Sequence, residues 1–234
     1  MIERRIRILT ANLLNGRAAP GAFADLLHSL QVDVVALQEV DAEQAAAVAQ
    51  VLPHGKIEPN GSFTGMGIAL ARPAQVRRLP LPRRDAWVAD LSAAEWGPHA
   101  PLEILNLHIH APHIPPPWRS FAVRRGQVAG VAAYLGSVPR SRRVLVGDLN
   151  ATPLWPAYRR LARHLTDEVL GHAKRVGRPV RPTWGPWPGA PRLLRIDHVM
   201  GNGVTAVRVE PIRIVGSDHD ALLVDLVASE NEEL

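Results

Sequence analysis

The 234-residue sequence contains no cysteine. This absence excludes disulfide bonds, a thiolate metal site and a cysteine nucleophile. No uninterrupted apolar run comes close to the roughly 18 residues that a membrane-spanning helix needs, and residues 1–6 carry no apolar signal region. We therefore expect a cytoplasmic protein without a transmembrane segment. Nothing in the sequence indicates an oligomer, so a monomer is the default expectation.

Two common catalytic motifs are also missing. The fragment Gly65-Met66-Gly67 stands alone, without the rest of a phosphate-binding P-loop, and no Gly-x-Ser-x-Gly sequence is present. Neither nucleotide hydrolysis by a P-loop nor acyl transfer by a serine is therefore supported. Lysine is scarce, because 25 of the 27 basic residues are arginine, and the net charge is +5. That charge suits a phosphate-bearing partner, but a biased codon usage explains it equally well.

The hydrophobic content of 47% is enough for a sizeable core. We expect one domain over residues 1–228, followed by an acidic flexible tail over 229–234. The first 52 residues alternate strand and helix patterns, and shorter strands separated by proline and glycine turns follow. The second half also contains a buried strand, at 144–146, and a helix. These patterns predict two similar halves that pack sheet against sheet, with helices outside.

Two further segments follow the buried strand at 144–146. Residues 154–165 have helical periodicity, which predicts a helix. Residues 166–194 are rich in proline, glycine, arginine and tryptophan and are predicted to form a long irregular loop. Because loops of that length are usually functional or mobile, this segment is expected to contribute to substrate selection.

Polar residues stand where the predicted strands end. Each of them alone has an ordinary structural explanation, such as a turn or a helix cap. Their joint occurrence at so many strand ends indicates a functional site, because open α/β sheets bind ligands beyond the carboxyl ends of their strands. The residues are Asn12, Glu39, His108, Asp148, Asn150, Asp197, Asp218 and His219.

These residue types favour metal-assisted hydrolysis. Glu39, Asn12, Asp218 and Asp148 offer hard oxygen ligands, and no His-x-x-x-His pair is present, so Mg²⁺ or Mn²⁺ is expected and zinc is not. Asp197 is predicted to pair with His219, because a carboxylate fixes the tautomer of an imidazole and favours its charged form.

Six short motifs, in this order, resemble those of the endonuclease/exonuclease/phosphatase superfamily, which includes DNase I. The resemblance runs from Ile8 to Leu226 and implies a four-layered α/β sandwich in which two mixed β-sheets pack face to face with helices outside. The motifs are Ala11-Asn12, Leu37-Gln38-Glu39, Asn106-Leu107-His108, Gly147-Asp148-Leu149-Asn150, Arg195-Ile196-Asp197-His198 and Ser217-Asp218-His219.

The resemblance also implies roles for the metal-site and nucleophile-site residues. Glu39 would be the main Mg²⁺ or Mn²⁺ ligand, with Asn12 and Asp218 nearby, directly or through water. Asp148 and Asn150 would orient and deprotonate the attacking water.

The remaining catalytic roles would concern the phosphate. Asp197 would hold His219 against the scissile phosphate, and His108 would contact another phosphate oxygen. The sequence leaves open whether His108 or His110 faces the site, and whether one metal or two is bound.

The substrate is the least determined feature. Arg124 and Trp184 lie in the segments expected to select it, where an aromatic ring near arginines suits a base and its phosphates; covering a core edge is an equally good explanation for Trp184. The leading hypothesis is a phosphodiesterase acting on DNA or RNA. The sequence lacks the tyrosine that nuclease members often carry shortly after the position of His108, which argues against abasic-site repair. The alternatives are a hydrolase of small phosphorylated molecules or lipid headgroups, and an inactive phosphate-binding module.

Overall fold

A computed structural model of the protein describes residues 5–229. Within this range the strands are β1 (Ile6–Asn12), β2 (Val34–Gln38), β3 (His54–Glu58), β4 (Met66–Leu70), β5 (Gln75–Leu79), β6 (Ala86–Leu91), β7 (Leu102–His108), β8 (Arg143–Asp148), β9 (Thr166–Asp167), β10 (Asp197–Asn202), β11 (Val204–Arg213) and β12 (Asp220–Ala228). The helices are α1 (Pro20–Leu30), α2 (Ala42–Val51), α3 (Ala93–Trp96), α4 (Pro117–Ser137), α5 (Pro156–Leu161) and α6 (Glu168–Val176).

The strands form two mixed six-stranded sheets. The first has the order β11-β12-β1-β2-β4-β3, and the second has the order β5-β6-β7-β8-β10-β9. Each sheet contains one parallel pair, β1 with β2 and β7 with β8, and its other pairs are antiparallel. The fold class predicted from the sequence is confirmed: two sheets pack face to face, with helices outside.

The alternation of side chains along each strand produces the four layers. In β8, Val144 and Val146 belong to the central cluster shared by both sheets, whereas Leu145 belongs to a cluster formed with α4 and α5. The outer face of the first sheet packs on α1 and α2 in the same way, through residues such as Leu9 and Phe23. Because the pleat has a period of two, the next inward position after Val146 belongs to Asp148.

A buried hydrogen bond joins the inner faces of the two sheets. Gln38, at the end of β2, donates through Nε2 to Oδ1 of Asn106 in β7, over 2.6 Å. The amide of Asn106 donates in turn to the carbonyls of Leu37 and Gly67 in the first sheet, over 2.9 and 2.8 Å. Both amide side chains are fully buried, so these bonds fix the position of one sheet relative to the other.

Two sequence-based boundaries are wrong. Residues 166–194 are not one irregular loop, because β9 and α6 occupy 166–176. Asp167 caps α6 by accepting a hydrogen bond from the amide of Leu170, and Gly177 ends the helix in the left-handed conformation. The helix expected over 154–165 is shorter, since α5 spans only Pro156–Leu161. The exposed edge strand β3 was not predicted.

Other expectations concern the chain as a whole. Within the described residues, no helix is long and apolar enough to cross a membrane. The central core shared by both sheets supports one domain over residues 1–228, which stays a prediction. Of the tail expected over 229–234, residues 230–234 lie outside the described residues.

Gly147 sets the end of β8 and therefore the position of Asp148. Its φ of +128° is one that residues with a side chain rarely adopt, and an added Cβ would lie 2.0 Å from the carbonyl oxygen of Leu107 on the neighbouring strand. No flexible atom can yield there, because the obstacle is backbone.

We predict that Gly147→Ala destabilises the protein by about 2 to 4 kcal/mol, from backbone strain and the displaced strand. Urea unfolding followed by circular dichroism measures the change. The matched control is Gly136→Ala near the end of α4, where the nearest atom to the added Cβ lies at 3.9 Å and a change of less than about 1 kcal/mol is expected. Equal stability of the two variants would contradict the role assigned to Gly147.

Candidate active site

The carboxyl ends of four central strands meet between the two sheets. Asn12 ends β1, Glu39 directly follows β2, His108 ends β7 and Asp148 ends β8. All four side chains lie on the inner faces and are buried. Glu39 has a φ of +55°, which turns the backbone sharply out of its strand. The structure thus brings together residues that are up to 136 positions apart in the sequence.

Asp148 is the acceptor at the centre of this group. Nδ2 of Asn12 donates to its Oδ2 over 3.2 Å and to Oε1 of Glu39 over 3.1 Å. Asn150 donates twice, from its backbone amide to Oδ1 over 2.7 Å and from Nδ2 to Oδ2 over 3.1 Å. Asn150 reaches back in this way because its φ of +46° closes a tight turn after the strand. The two-residue spacing alone suggested extended backbone at Asn150, and this suggestion is wrong.

Asp197 and His219 form a buried pair beside Asp148. Nδ1 of His219 lies 2.9 and 3.2 Å from the two carboxylate oxygens of Asp197, and Thr183 donates to the same carboxylate over 2.6 Å. The other ring nitrogen, Nε2, lies 3.9 Å from carboxylate oxygens of both Asp148 and Asp218. Burial alone would lower the pKa of His219, but the surrounding carboxylates, Asp197 first, raise it to about 10. The ring is therefore an imidazolium at neutral pH.

His108 faces the site, and its electrostatic state is opposite to that of His219. Its Nε2 lies 3.5 Å from Oδ2 of Asp148 and 3.6 Å from Oε1 of Glu39. Burial, reinforced by the positive charges of Arg84 and His219, holds the pKa of His108 well below its ordinary value. A neutral imidazole at this position offers a hydrogen bond and no net charge. His110 lies beyond the strand and is partly exposed.

Two buried carboxylic acids of the site, Asp148 and Glu39, have raised pKa values. Burial raises the pKa of Asp148 to about 7, with contributions from Asp197 and Glu39 and opposition from His219. Burial also raises the pKa of Glu39. Asp148 can therefore exchange a proton near neutral pH, which is the property required of a general base.

Two carboxylate oxygens at the site have no hydrogen-bond partner within the described residues. They are Oε2 of Glu39 and Oδ1 of Asp218, and both are shielded from solvent. Buried unpaired oxygens of this kind suit a hard divalent cation. A second set, formed by Asp148, Asp197 and His219, also has ligand atoms within 4.8 Å of one another. In that set, however, the close contact between Asp197 and His219 is already a hydrogen bond.

The two residues predicted to bind substrate have internal partners. Arg124 is buried; its guanidinium donates to the carbonyl of His110 and, over 3.1 Å, to that of Asn150. The indole nitrogen of Trp184 donates to Oδ2 of Asp218 over 3.1 Å. Both side chains thus contact the segments that carry the candidate catalytic residues, and their assignment to substrate stays a prediction.

Sequence reasoning missed three residues that support the site. Thr183 holds Asp197, as described above. Ser217 accepts from the amide of His219 over 3.0 Å and donates to the carbonyl of Asn12 over 2.8 Å. Arg84 donates to the carbonyl of His108 over 3.2 Å. No sequence signal identifies Arg84, which stands in a turn, whereas Ser217 belongs to the motif Ser217-Asp218-His219, in which only Asp218 and His219 were assigned roles.

The protein is thus a sandwich of two mixed sheets with buried carboxylates and histidines between the strand ends. The sequence matches the model of the endonuclease/exonuclease/phosphatase family over residues 9–219. The chain belongs to this family, whose members are metal-dependent hydrolases of phosphoesters. No curated protein matches the chain significantly in sequence.

Solved structures with the same fold cover nearly the whole chain. A 3'-5' exonuclease from Neisseria meningitidis has a TM-score of 0.70 at 19% identity, covering 94% of this chain and 98% of its own. The catalytic domain of human Nocturnin, solved with a bound sulfate anion, has a TM-score of 0.69 at 18% identity, covering 97% of each chain. A mannosyl-6-phosphatase from Bacteroides thetaiotaomicron has a TM-score of 0.70 at 15% identity, covering 95% of this chain and 99% of its own. At these identities the likeness establishes the fold alone.

We predict that Asp197→Asn lowers the pKa of His219 from about 10 in the metal-free protein, because the ring loses the carboxylate that contributes most to its charged state. An NMR titration of the His219 ring protons measures this pKa. Asp220→Asn is the control. Asp220 directly follows His219 in the chain, but its carboxylate pairs with Arg192 over 2.7 Å and not with the His219 ring. A pKa near 10 in both variants would contradict the assigned pair.

Proposed function

We propose that this protein hydrolyses phosphodiester bonds by in-line attack of water, with Asp148 as the general base. One observation carries the proposal: Asp148, whose pKa burial raises to about 7, lies 3.9 Å from the ring of His219, whose pKa the surrounding carboxylates raise to about 10. The first group can take a proton from water, and the second can stabilise the negative charge that develops on the phosphoryl oxygens.

The unpartnered oxygens of Glu39 and Asp218 would hold the metal ion, which we propose to be Mg²⁺ or Mn²⁺. Asn12 fixes Glu39 by donating from Nδ2 to its Oε1. The Oδ1 of Asn12 accepts from the amide of Leu14 over 3.0 Å, and this bond sets the orientation of the amide group. Trp184 fixes the second oxygen of Asp218. A divalent ion bound here supplies Lewis-acid stabilisation of the phosphoryl oxygens.

The remaining residues position protons and charge. Asn150 holds both oxygens of Asp148, which orients the carboxylate toward the attacking water. Asp197 holds the imidazolium of His219 through Nδ1, which leaves Nε2 free to donate to the phosphate. His108, as a neutral imidazole, donates to a second phosphate oxygen. Arg124 keeps the turns at His110 and Asn150 in place.

We propose a nucleic acid as the substrate, because exposed aromatic and apolar side chains lie, together with arginines, on the segments next to the strand ends that carry the candidate residues. Unstacked bases bind to such surfaces by stacking. The side chains lie on the segments that follow β7 and β8 and precede β10, and they are Trp118, Phe121, Leu154, Trp155, Trp187 and Leu193. The same apolar side chains are compatible with a lipid substrate, so a lipid-headgroup hydrolase is the second candidate.

These two candidates differ in their response to salt. Cleavage of a single-stranded oligonucleotide should weaken steeply as salt rises, because arginines displace counterions from phosphates. Cleavage of lipid in vesicles should depend mainly on apolar contact. The cytoplasmic location and the monomeric state inferred from the sequence stay predictions.

We predict that His219→Ala and Asp148→Asn each lower kcat by about 10²- to 10⁴-fold, the range for a lost acid-base or charge-stabilising group. The assay is hydrolysis of bis-p-nitrophenyl phosphate with Mg²⁺ or Mn²⁺, with p-nitrophenyl phosphate and EDTA run in parallel. His54→Ala, at an exposed position in β3, serves as the control. Unchanged turnover in both site variants would contradict the catalytic roles assigned to His219 and Asp148 and would favour an inactive phosphate-binding module.

We predict that Glu39→Gln weakens Mn²⁺ binding by at least about 10-fold, because a neutral amide replaces the charged oxygen that lacks a protein partner. Isothermal titration calorimetry measures this affinity without relying on activity. Glu43→Gln, exposed in the first turn of α2, should bind the ion as the wild type does. If Glu39→Gln binds the ion equally well, the metal lies elsewhere in the site.

A further inference from the structure

Two loops form a polar pocket beside the candidate active site. The loop 59–65 joins β3 to β4, and the loop 80–85 joins β5 to β6. The cavity between them has a volume of about 240 Å³. Its charged lining residues are the arginines Arg78, Arg83 and Arg84 and the carboxylates Glu58 and Asp85, and its neutral lining residues include Asn60, Thr64 and Trp87. We call it the Arg84 pocket.

Backbone hydrogen bonds attach the first loop to the residue that follows Glu39. The amide of Val40 donates to the carbonyl of Gly65 over 3.2 Å, and the amide of Asn60 donates to the carbonyl of Val40 over 3.0 Å. The second loop is attached through Arg84, whose Nη1 donates to the carbonyl of His108 over 3.2 Å. The pocket is therefore attached both to the residue after Glu39 and to His108.

Two of the three arginines that line the pocket have no carboxylate partner within the described residues. Arg78, on its wall, is paired with Glu58 and Asp85. By contrast, no carboxylate among residues 5–229 lies within ion-pair distance of Arg83 or Arg84.

Arg84 has more donors than partners. Its Nε is shielded from solvent and has no hydrogen-bond partner among the described residues. The residue as a whole is partly exposed. A buried donor left unpaired costs free energy unless a ligand satisfies it. Arg83 stands beside it with a φ of +67°, a conformation unusual for a residue with a side chain, so the turn holds both arginines at one end of the pocket.

These observations identify the class of group that fits. Guanidinium groups pair with phosphate oxygens through parallel hydrogen bonds. The side chains of Asn60 and Thr64 add neutral donors on the opposite loop. The volume of about 240 Å³ is several times the roughly 30 Å³ share of one water molecule, so it accommodates one phosphate but not a folded macromolecule.

We propose that the Arg84 pocket binds a second phosphate of the substrate, next to the phosphate that is hydrolysed. This inference rests on the proposed function, and it narrows the substrate to molecules with two neighbouring phosphates. A nucleic acid strand and a small bisphosphorylated metabolite both meet that requirement, whereas a neutral alcohol esterified to one phosphate does not.

The test compares substrates with one and two phosphates. The one-phosphate substrate is bis-p-nitrophenyl phosphate. The two-phosphate substrates are a short single-stranded oligonucleotide, which is a diester, and a sugar bisphosphate, which is a monoester. An oligonucleotide with uncharged methylphosphonate at all but the scissile linkage is the matched comparison for the first, and p-nitrophenyl phosphate is the one-phosphate monoester reference for the second. Arg84→Gln and Arg83→Gln are the variants, with Arg72→Gln as an exposed arginine control remote from the site, bonded to the carbonyl of Glu95.

We expect Arg84→Gln to lower kcat/KM for a two-phosphate substrate by about 10- to 100-fold, the effect of a lost charge-assisted hydrogen bond. Because Arg84 also donates to the carbonyl of His108, Arg84→Gln should lower turnover of bis-p-nitrophenyl phosphate and of the methylphosphonate oligonucleotide as well, but by a factor at least about 10-fold smaller. Arg83→Gln alters an exposed side chain and should fold normally. It should also lower kcat/KM more for the two-phosphate substrate than for bis-p-nitrophenyl phosphate. Whether the oligonucleotide or the sugar bisphosphate shows the effect identifies the source of the second phosphate.

Equal losses on all substrates would overturn the proposal, because Arg84 would then act on the scissile phosphate itself. Unchanged kinetics in both variants would overturn it as well. If the wild type hydrolyses no substrate with any metal, the proposed function has failed, and the pocket is then tested by calorimetric titration with inorganic phosphate. Binding that is lost in both variants and kept in Arg72→Gln supports the pocket, and equal binding in all proteins rejects it.

Discussion

The burial of the Asp148 carboxylate is the constraint on which the rest of the site depends. A charged group taken out of water must be compensated by hydrogen bonds or by opposite charge. Asn12 supplies a donor from the first sheet, Asn150 supplies two from its own turn, and the imidazolium of His219 supplies the charge. Gly147 permits the backbone path that delivers Asp148 to this point.

The compensating groups come from both sheets, so the sheets must not shift against each other. The hydrogen bonds of Gln38 and Asn106 provide this alignment from within the central core, a short distance below the site. Apolar packing alone tolerates small displacements, whereas a buried donor that loses its acceptor is penalised directly. Two uncharged amides therefore keep Asn12 and Glu39, at strand ends of the first sheet, aligned with His108 and Asp148, at strand ends of the second.

The sequence was sufficient to predict the fold class and the residues that converge, because buried strands and their polar ends leave a periodic pattern. It was insufficient where tertiary context decides. Helix α6 was overlooked, although Asp167 and Gly177 are ordinary start and stop signals, because proline and arginine dominate the segment after it. The neutral state of His108 and the charged state of His219 depend on burial and neighbours, which the sequence does not contain. The internal partners of Arg124 are likewise invisible before folding.

The edge strands β3 and β5 have a further consequence. Open strand edges invite another chain to add itself as the next strand, which is a common route to aggregation. Here β3 presents Lys56 and Glu58, and β5 presents Arg78, which pairs with Glu58 across the gap between the two sheets. An incoming strand would have to separate these ions and desolvate them. The charged pair thus discourages uncontrolled growth of either sheet, and it does so near the strand ends that carry the candidate site, because Glu58 is level with Gln38 and Arg78 is level with Asn106.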